Sequence, residues 1–172
     1  MKFNFCVIMS IFYCLFGCSS FDDRLPNYEK IADNITEKTA KKLKEQKNLC
    51  LVGTGGKMMN DIQAMDMSFN FYQEVDVQAA RELIIYVINE YLLEINSNKD
   101  VRPYLHEYPF TAKNVEIRIW IYKPDGTYPP LDKIYYISAI DGILNYYLDL
   151  PETHSRLSIC EETYEAAKAT FQ

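Results

Sequence analysis

The sequence is short of the residues that most often carry chemistry. It holds two histidines, one tryptophan, six glycines and five cysteines in 172 residues. His106 and His154 stand alone, without the paired Cys or His spacing that a zinc site needs. Basic charge is also in deficit: 18 Lys and Arg face 24 Asp and Glu, for a net charge of −6. Phosphate binding needs a surplus of Lys and Arg on one face, so nucleic acid is excluded as the main partner. No apolar run reaches the roughly twenty residues that span a bilayer as a helix. No internal repeat or low-complexity tract divides the chain. What remains is 48% hydrophobic and 24% charged, proportions that support one packed domain of ordinary size.

The apolar run that does exist lies at the start. Lys2 precedes a stretch from Phe5 to Phe16, which has the length of the hydrophobic region of an export signal. It ends in Leu15-Phe16-Gly17-Cys18, which resembles the lipobox of bacterial lipoproteins, with Phe16 standing where a small residue is usual. The resemblance implies that residues 1–17 are a signal peptide cut before Cys18, and that Cys18 carries a thiol-linked diacylglycerol and usually an N-acyl chain. Each buried acyl CH₂ contributes about 0.8 kcal/mol, so two or three chains anchor stably where one does not. Ser19 follows the cysteine where an aspartate would resemble the inner-membrane retention signal, so the outer membrane is favoured in a two-membrane host. The expected localisation is therefore the bacterial cell envelope, facing an oxidising space. Residues 18–25 are then a tether and 26–172 a single domain.

With Cys6 and Cys14 in the signal and Cys18 lipidated, Cys50 and Cys160 remain. Export permits a disulfide between them. Two free thiols packing as small apolar residues fit the sequence equally well.

In the domain, Tyr28, Ile31, Ile35, Thr39 and Leu43 recur at helical spacing after Pro26. Leu49 to Val52 reads as a short strand running into a flexible Gly53-Thr54-Gly55-Gly56 turn. Met67, Phe69 and Phe71 alternate with Ser68 and Asn70 in a half-buried strand within Asp66 to Val75. Asp76 can cap a helix from Val77 to Ile95 that is apolar around most of its circumference. Val115, Ile117, Ile119 and Ile121 alternate with Glu116, Arg118 and Trp120, the clearest strand in the chain. Two further strands, Ile134 to Ile140 and Ile143 to Leu150, flank Asp141-Gly142, which favours a two-residue hairpin, with a bulge in one bent strand as the alternative. Glu161 to Phe171 reads as a short closing helix. The class expected is α+β: an antiparallel sheet with a long central helix packed on it and shorter N- and C-terminal helices.

The candidate chemistry is thin. Gly56-Lys57 follows a strand as a phosphate loop does, but Leu51 and Met58 occupy the places of the required glycine and hydroxyl residue. Cys50 or Cys160 with His106 or His154 could form a nucleophile and base, although no family signature surrounds either cysteine. Glu161 and Glu162, adjacent on a helix, would diverge instead of sharing a metal. No catalytic residue, metal or cofactor is expected.

Tyrosine is what the chain has in excess: fourteen in all, many in the second half. If alternation holds, Trp120 and Tyr122 share the sheet face opposite Val115 to Ile121 and could meet a glycan, a peptide or a partner protein. The alternative is that these rings only pack the sheet. The stretch Glu107-Tyr108-Pro109-Phe110-Thr111-Ala112-Lys113-Asn114, followed by an alternating strand, resembles uncharacterised lipoproteins of chlamydia-like intracellular bacteria. That resemblance implies no activity. The expectation is a non-catalytic binding or interaction module held to a membrane by its N-terminal lipid. An envelope hydrolase, or a carrier of a small apolar ligand with a cavity beneath Val77–Ile95, are the competing readings.

Overall fold

A computed structural model describes residues 27–150 and 155–171. The expected signal peptide, the lipobox-like Leu15–Cys18, the expected tether up to residue 25, and His154 all lie outside the described residues. Among the described residues three α-helices, α1 (Asn27–Lys47), α2 (Val77–Ser97) and α3 (Tyr164–Ala169), and a 3-10 turn at Arg102–Tyr104 accompany six strands. These are β1 (Cys50–Met58), β2 (Ile62–Phe71), β3 (Val115–Ile121), β4 (Ile134–Ile140), β5 (Ile143–Leu150) and β6 (Ser155–Thr163). The strands lie in sequence order in one sheet, and the class is α+β.

The sheet is mostly, not wholly, antiparallel. β2 and β3 run parallel, with Met65 beside Val115 and Phe71 beside Ile121. The reason is the chain between them: α2 carries it back along the sheet before β3 begins, and such a crossover returns a strand in the same direction. α1 and α2 are 21 residues each, so the N-terminal helix is not the shorter element the sequence suggests.

Local chemistry sets the boundaries. Asp76 caps α2 by accepting the amide of Ala79 at 2.8 Å. Asn48 closes α1 in the left-handed region, φ 57°, with its N–H on the Lys44 carbonyl at 3.0 Å. Asp141 (φ 52°) and Gly142 (φ 74°) give the tight hairpin between β4 and β5, so the bent-strand alternative falls away.

β2 from Met65 onward and the whole of β3 alternate between buried and half-exposed side chains. Met65, Met67, Phe69, Val115, Ile117 and Ile119 are fully buried and join Ile84, Val87, Ile88 and Tyr91 of α2 in one apolar cluster. Each such aliphatic side chain contributes about 1.5–3 kcal/mol relative to exposure. α1 packs on β1 and β2, α2 on β3 and β4, and α3 on α2 and β6. The helices thus cover one face and leave the other to the side chains of alternate strand positions.

Two elements differ from expectation. Gly53, Gly55 and Gly56 lie inside edge strand β1 instead of forming a turn. A Cβ at Gly56 would stand 2.6 Å from the Ala64 carbonyl oxygen, so the missing side chain permits close approach of β2. β6 occupies residues expected as loop and helix, and the closing helix begins only at Tyr164. β6 is an edge strand exposed along most of its length, and such a strand carries no inside–outside alternation to read.

Candidate functional site

On the uncovered face the strand registers align side chains into transverse rows. Asn70 lies beside Trp120, Trp120 beside Tyr136, Tyr136 beside Tyr147, and Tyr147 beside Ser158. The next row runs Ser68, Arg118, Ser138, Asn145 and Glu161. The third begins with Asp66 beside Glu116. Cross-strand neighbours on one face stand close enough for their side chains to touch, and aromatic pairs gain most from it.

The first row is an aromatic strip. The ring centroids of Trp120 and Tyr136 are 5.3 Å apart and those of Tyr136 and Tyr147 are 5.4 Å apart. The Arg156 guanidinium sits over Tyr136, 4.4 Å from its centroid. Beyond the strand end, Tyr122 stacks on Tyr72 at 5.6 Å and meets Tyr128 at 5.4 Å. Tyr136 is buried under this packing, whereas Trp120, Tyr122 and Tyr147 are half-exposed and Tyr72 and Tyr128 are open to solvent. Burial pushes the phenols of Tyr136 and Tyr122 above the ordinary tyrosine range, so both are neutral donors at physiological pH. The rings pack on one another, so the strip presents edges and hydroxyls as well as apolar area.

A charged cluster borders the strip. Arg118 reaches Glu116 at 2.6 Å and Asp66 at 3.4 Å, and Lys57 holds Glu116 at 3.0 Å. Burial opposes ionisation of Glu116, but hydrogen bonds from Lys57 and Arg118 outweigh it and keep the carboxyl below its ordinary range. Burial dominates at Asp66, whose carboxyl is raised despite Arg118. Each cation has its carboxylate, which is the arrangement of a structural network.

The remaining candidates separate. Cys50 is on β1 and Cys160 on β6, the opposite edges of the sheet, and both are free thiols. Five strand spacings of about 4.8 Å put them on the order of 24 Å apart. A bridge needs Cα atoms within about 7 Å, so the Cys50–Cys160 disulfide is not formed within this chain. Lys44 Nζ lies 2.9 Å from Cys50 Sγ. His106 Nδ1 is instead 2.7 Å from Asp61 Oδ2, beyond β2's first residue. Among the described residues no thiol pairs with an imidazole, and no three His, Cys, Asp or Glu side chains gather as metal ligands. Glu162 points to the helix side, where it accepts from Arg81 at 2.7 Å and from the Tyr146 phenol at 2.9 Å. Glu161 is on the uncovered face beside Asn145. Their divergence comes from strand alternation, not from the helix expected there.

Sequence reasoning placed Trp120 and Tyr122 on one face and singled out Tyr136 and Tyr147 only as part of the tyrosine excess; it did not place those two, Tyr72 or Arg156 in this strip. Tyr72 continues the Ser68–Asn70 alternation and was within reach. Tyr136 and Tyr147 needed the β3–β4–β5 register, and Arg156 needed β6. Comparison with protein-family models, with curated proteins and with solved structures finds no match.

Proposed function

We propose that the chain is a lipoprotein of the bacterial envelope, anchored through Cys18, and that its domain is a non-catalytic binding module. Partner contact falls on the uncovered sheet face, and α2 serves as the long central helix that braces the sheet from behind. The observation that carries the binding reading is the aromatic strip from Trp120 to Tyr147, flanked by Tyr122 and Tyr72, on a face that none of the described helices covers. Large rings with polar tips give contact area at low entropy cost, which is how binding surfaces concentrate their energy. The lipobox-like Leu15–Cys18 supports the anchor. The partner is a protein or glycan of the envelope, and the acidic balance disfavours nucleic acid.

The test has two arms. Cys18→Ser should abolish incorporation of labelled palmitate and leave the precursor uncut; an unmodified Cys18 in the wild-type protein removes the anchor. In the chain expressed without residues 1–17 and with Cys18→Ser, so that no lipid holds it, Trp120→Ala with Tyr122→Ala should weaken co-sedimentation with isolated cell envelopes, while Cys50→Ala with His106→Ala should not. The opposite ranking overturns the binding face.

A further inference from the structure

Among the described residues the sheet ends at β6, and no described strand pairs with its outer edge. An edge strand presents a row of backbone donors and acceptors, and natural proteins blunt such edges unless they are used. β1, the other edge, is blunted: two register irregularities and three glycines interrupt it, and its one charged side chain, Lys57, is held by Glu116 at 3.0 Å. β6 is blunted less: it has one register irregularity, at Ile159, and three charged side chains, but no proline or glycine, and Leu157 and Ile159 are exposed along it at 46% and 40%.

We infer that β6 pairs with β6 of a second copy of this chain, antiparallel about a two-fold axis, so that two six-stranded sheets join. The register follows from the bulge. Arg156 pairs with Asp149 and Glu161 with Asn145, and the irregularity between lies at Tyr146/Tyr147, opposite Ile159. Asp149 and Asn145 are four residues apart on a regular strand. Arg156 and Glu161 therefore point to the same face and present their backbone to the same side, although five positions separate them in sequence. An antiparallel pair keeps opposed residues on one face. Among registers that satisfy this, centring the axis level with Asp149 sets Arg156 against Arg156, and centring it level with Asn145 sets Glu161 against Glu161. Centring it level with Tyr147 sets Arg156 of each copy against Glu161 of the other, twice by symmetry. Unlike charges directly opposed stabilise a strand pair and like charges destabilise it. The same register puts Leu157 against Cys160 on the helix side. It also runs the row Trp120, Tyr136, Tyr147 and Ser158 end to end with its copy across the axis, doubling the aromatic strip. In the dimer, Glu161 of the second copy competes with Tyr136 for Arg156.

The experiment is a charge swap on the full chain purified in detergent, with mass measured by light scattering across a dilution series. Wild type should be a dimer. Arg156→Glu and Glu161→Arg should each weaken dimerisation by about tenfold or more, and the double swap should restore it. Glu161→Arg leaves the Arg156–Tyr136 contact untouched, which separates loss of pairing from damage to the aromatic strip. Under mild oxidation in a Cys50→Ser background, Leu157→Cys should give a covalent dimer through native Cys160, and Leu157→Cys with Cys160→Ser should not. A monomeric wild type, single reversals that leave the dimer intact, or cross-linking to a different protein in place of a second copy each overturn the proposal.

Discussion

Thr36 Oγ1 and the phenol oxygen of Tyr91 lie 2.7 Å apart in the seam between α1 and α2, with both side chains buried. Thr36 also donates to the Ala32 carbonyl at 2.9 Å, so Tyr91 is the donor of the pair. Burial pushes the Tyr91 phenol far above the ordinary tyrosine range. The group stays neutral wherever the fold persists. On the surface beside it, Lys38 pairs with Glu94 at 2.7 Å and Lys42 pairs with Glu90. Glu90, Glu94 and Lys42 are partly buried while Lys38 is open to solvent, so these ion pairs and the buried hydroxyl contact together hold the register of the two helices.

The first prediction follows from that contact. Thr36→Val strands the Tyr91 hydroxyl in the core and should cost about 1–3 kcal/mol, whereas Tyr91→Phe removes the donor and should cost at most about 1.5 kcal/mol. With both changed, neither orphan remains, and the loss should be smaller than the sum of the single losses. Urea unfolding of the four proteins measures this; strict additivity would show that the two groups do not interact.

The seam also shows how far the sequence could be read. The three- and four-residue spacing of Ile31, Ile35, Thr39 and Leu43 locates α1, because a single buried stripe leaves that period. Thr36, one position beyond Ile35, is polar and buried only because Tyr91 arrives from a segment distant in the chain, and no local pattern encodes that meeting. β3 was legible for the same reason as α1: its Val and Ile residues face the helices and its Glu, Arg and Trp residues do not. β6 was not, since both of its faces are largely exposed. The parallel β2–β3 pair depends on where α2 delivers the chain, and the strip beyond Trp120 depends on three registers at once.

The Gly53–Gly56 segment gives the second prediction, because a turn and a strand answer differently to alanine. In a flexible turn, alanine at any of the three glycines would have similar, small effects. In β1 they differ: a Cβ at Gly53 meets nothing closer than 3.7 Å, while at Gly56 it would press on the Ala64 carbonyl at 2.6 Å and Met58 Cε at 2.7 Å. Gly53→Ala should therefore leave stability within about 0.5 kcal/mol or raise it slightly. Gly56→Ala should cost about 1–3 kcal/mol, since backbone must move to admit it. Equal melting temperatures for the two variants would return the segment to a turn.

The third prediction concerns pH and rests on His106 and Asp61, 2.7 Å apart. The hydrogen bond that the protonated His106 ring donates to Asp61, together with the carboxylate's charge, holds the His106 imidazole above its ordinary pKa of 6.5. The same bond holds the Asp61 carboxyl below its ordinary 3.8 despite partial desolvation. For His106, raised in the fold, the contribution to stability is fully present below pH 6.5 and is lost as pH rises through the raised value. For Asp61, lowered in the fold, it is present above pH 3.8 and is lost as pH falls through the lowered value. The pair therefore supports the fold across the window between those limits. The support is local: His106 donates its backbone N–H to the Ile62 carbonyl at 2.9 Å, and Leu105 bridges to Ile62 at the entry to β2. In an NMR titration the His106 ring should change charge above pH 6.5, and Asp61→Asn should bring its midpoint down to the ordinary histidine value. His106→Gln identifies the resonance against that of His154. A His106 midpoint that Asp61→Asn does not move would mean the pair is not formed in solution.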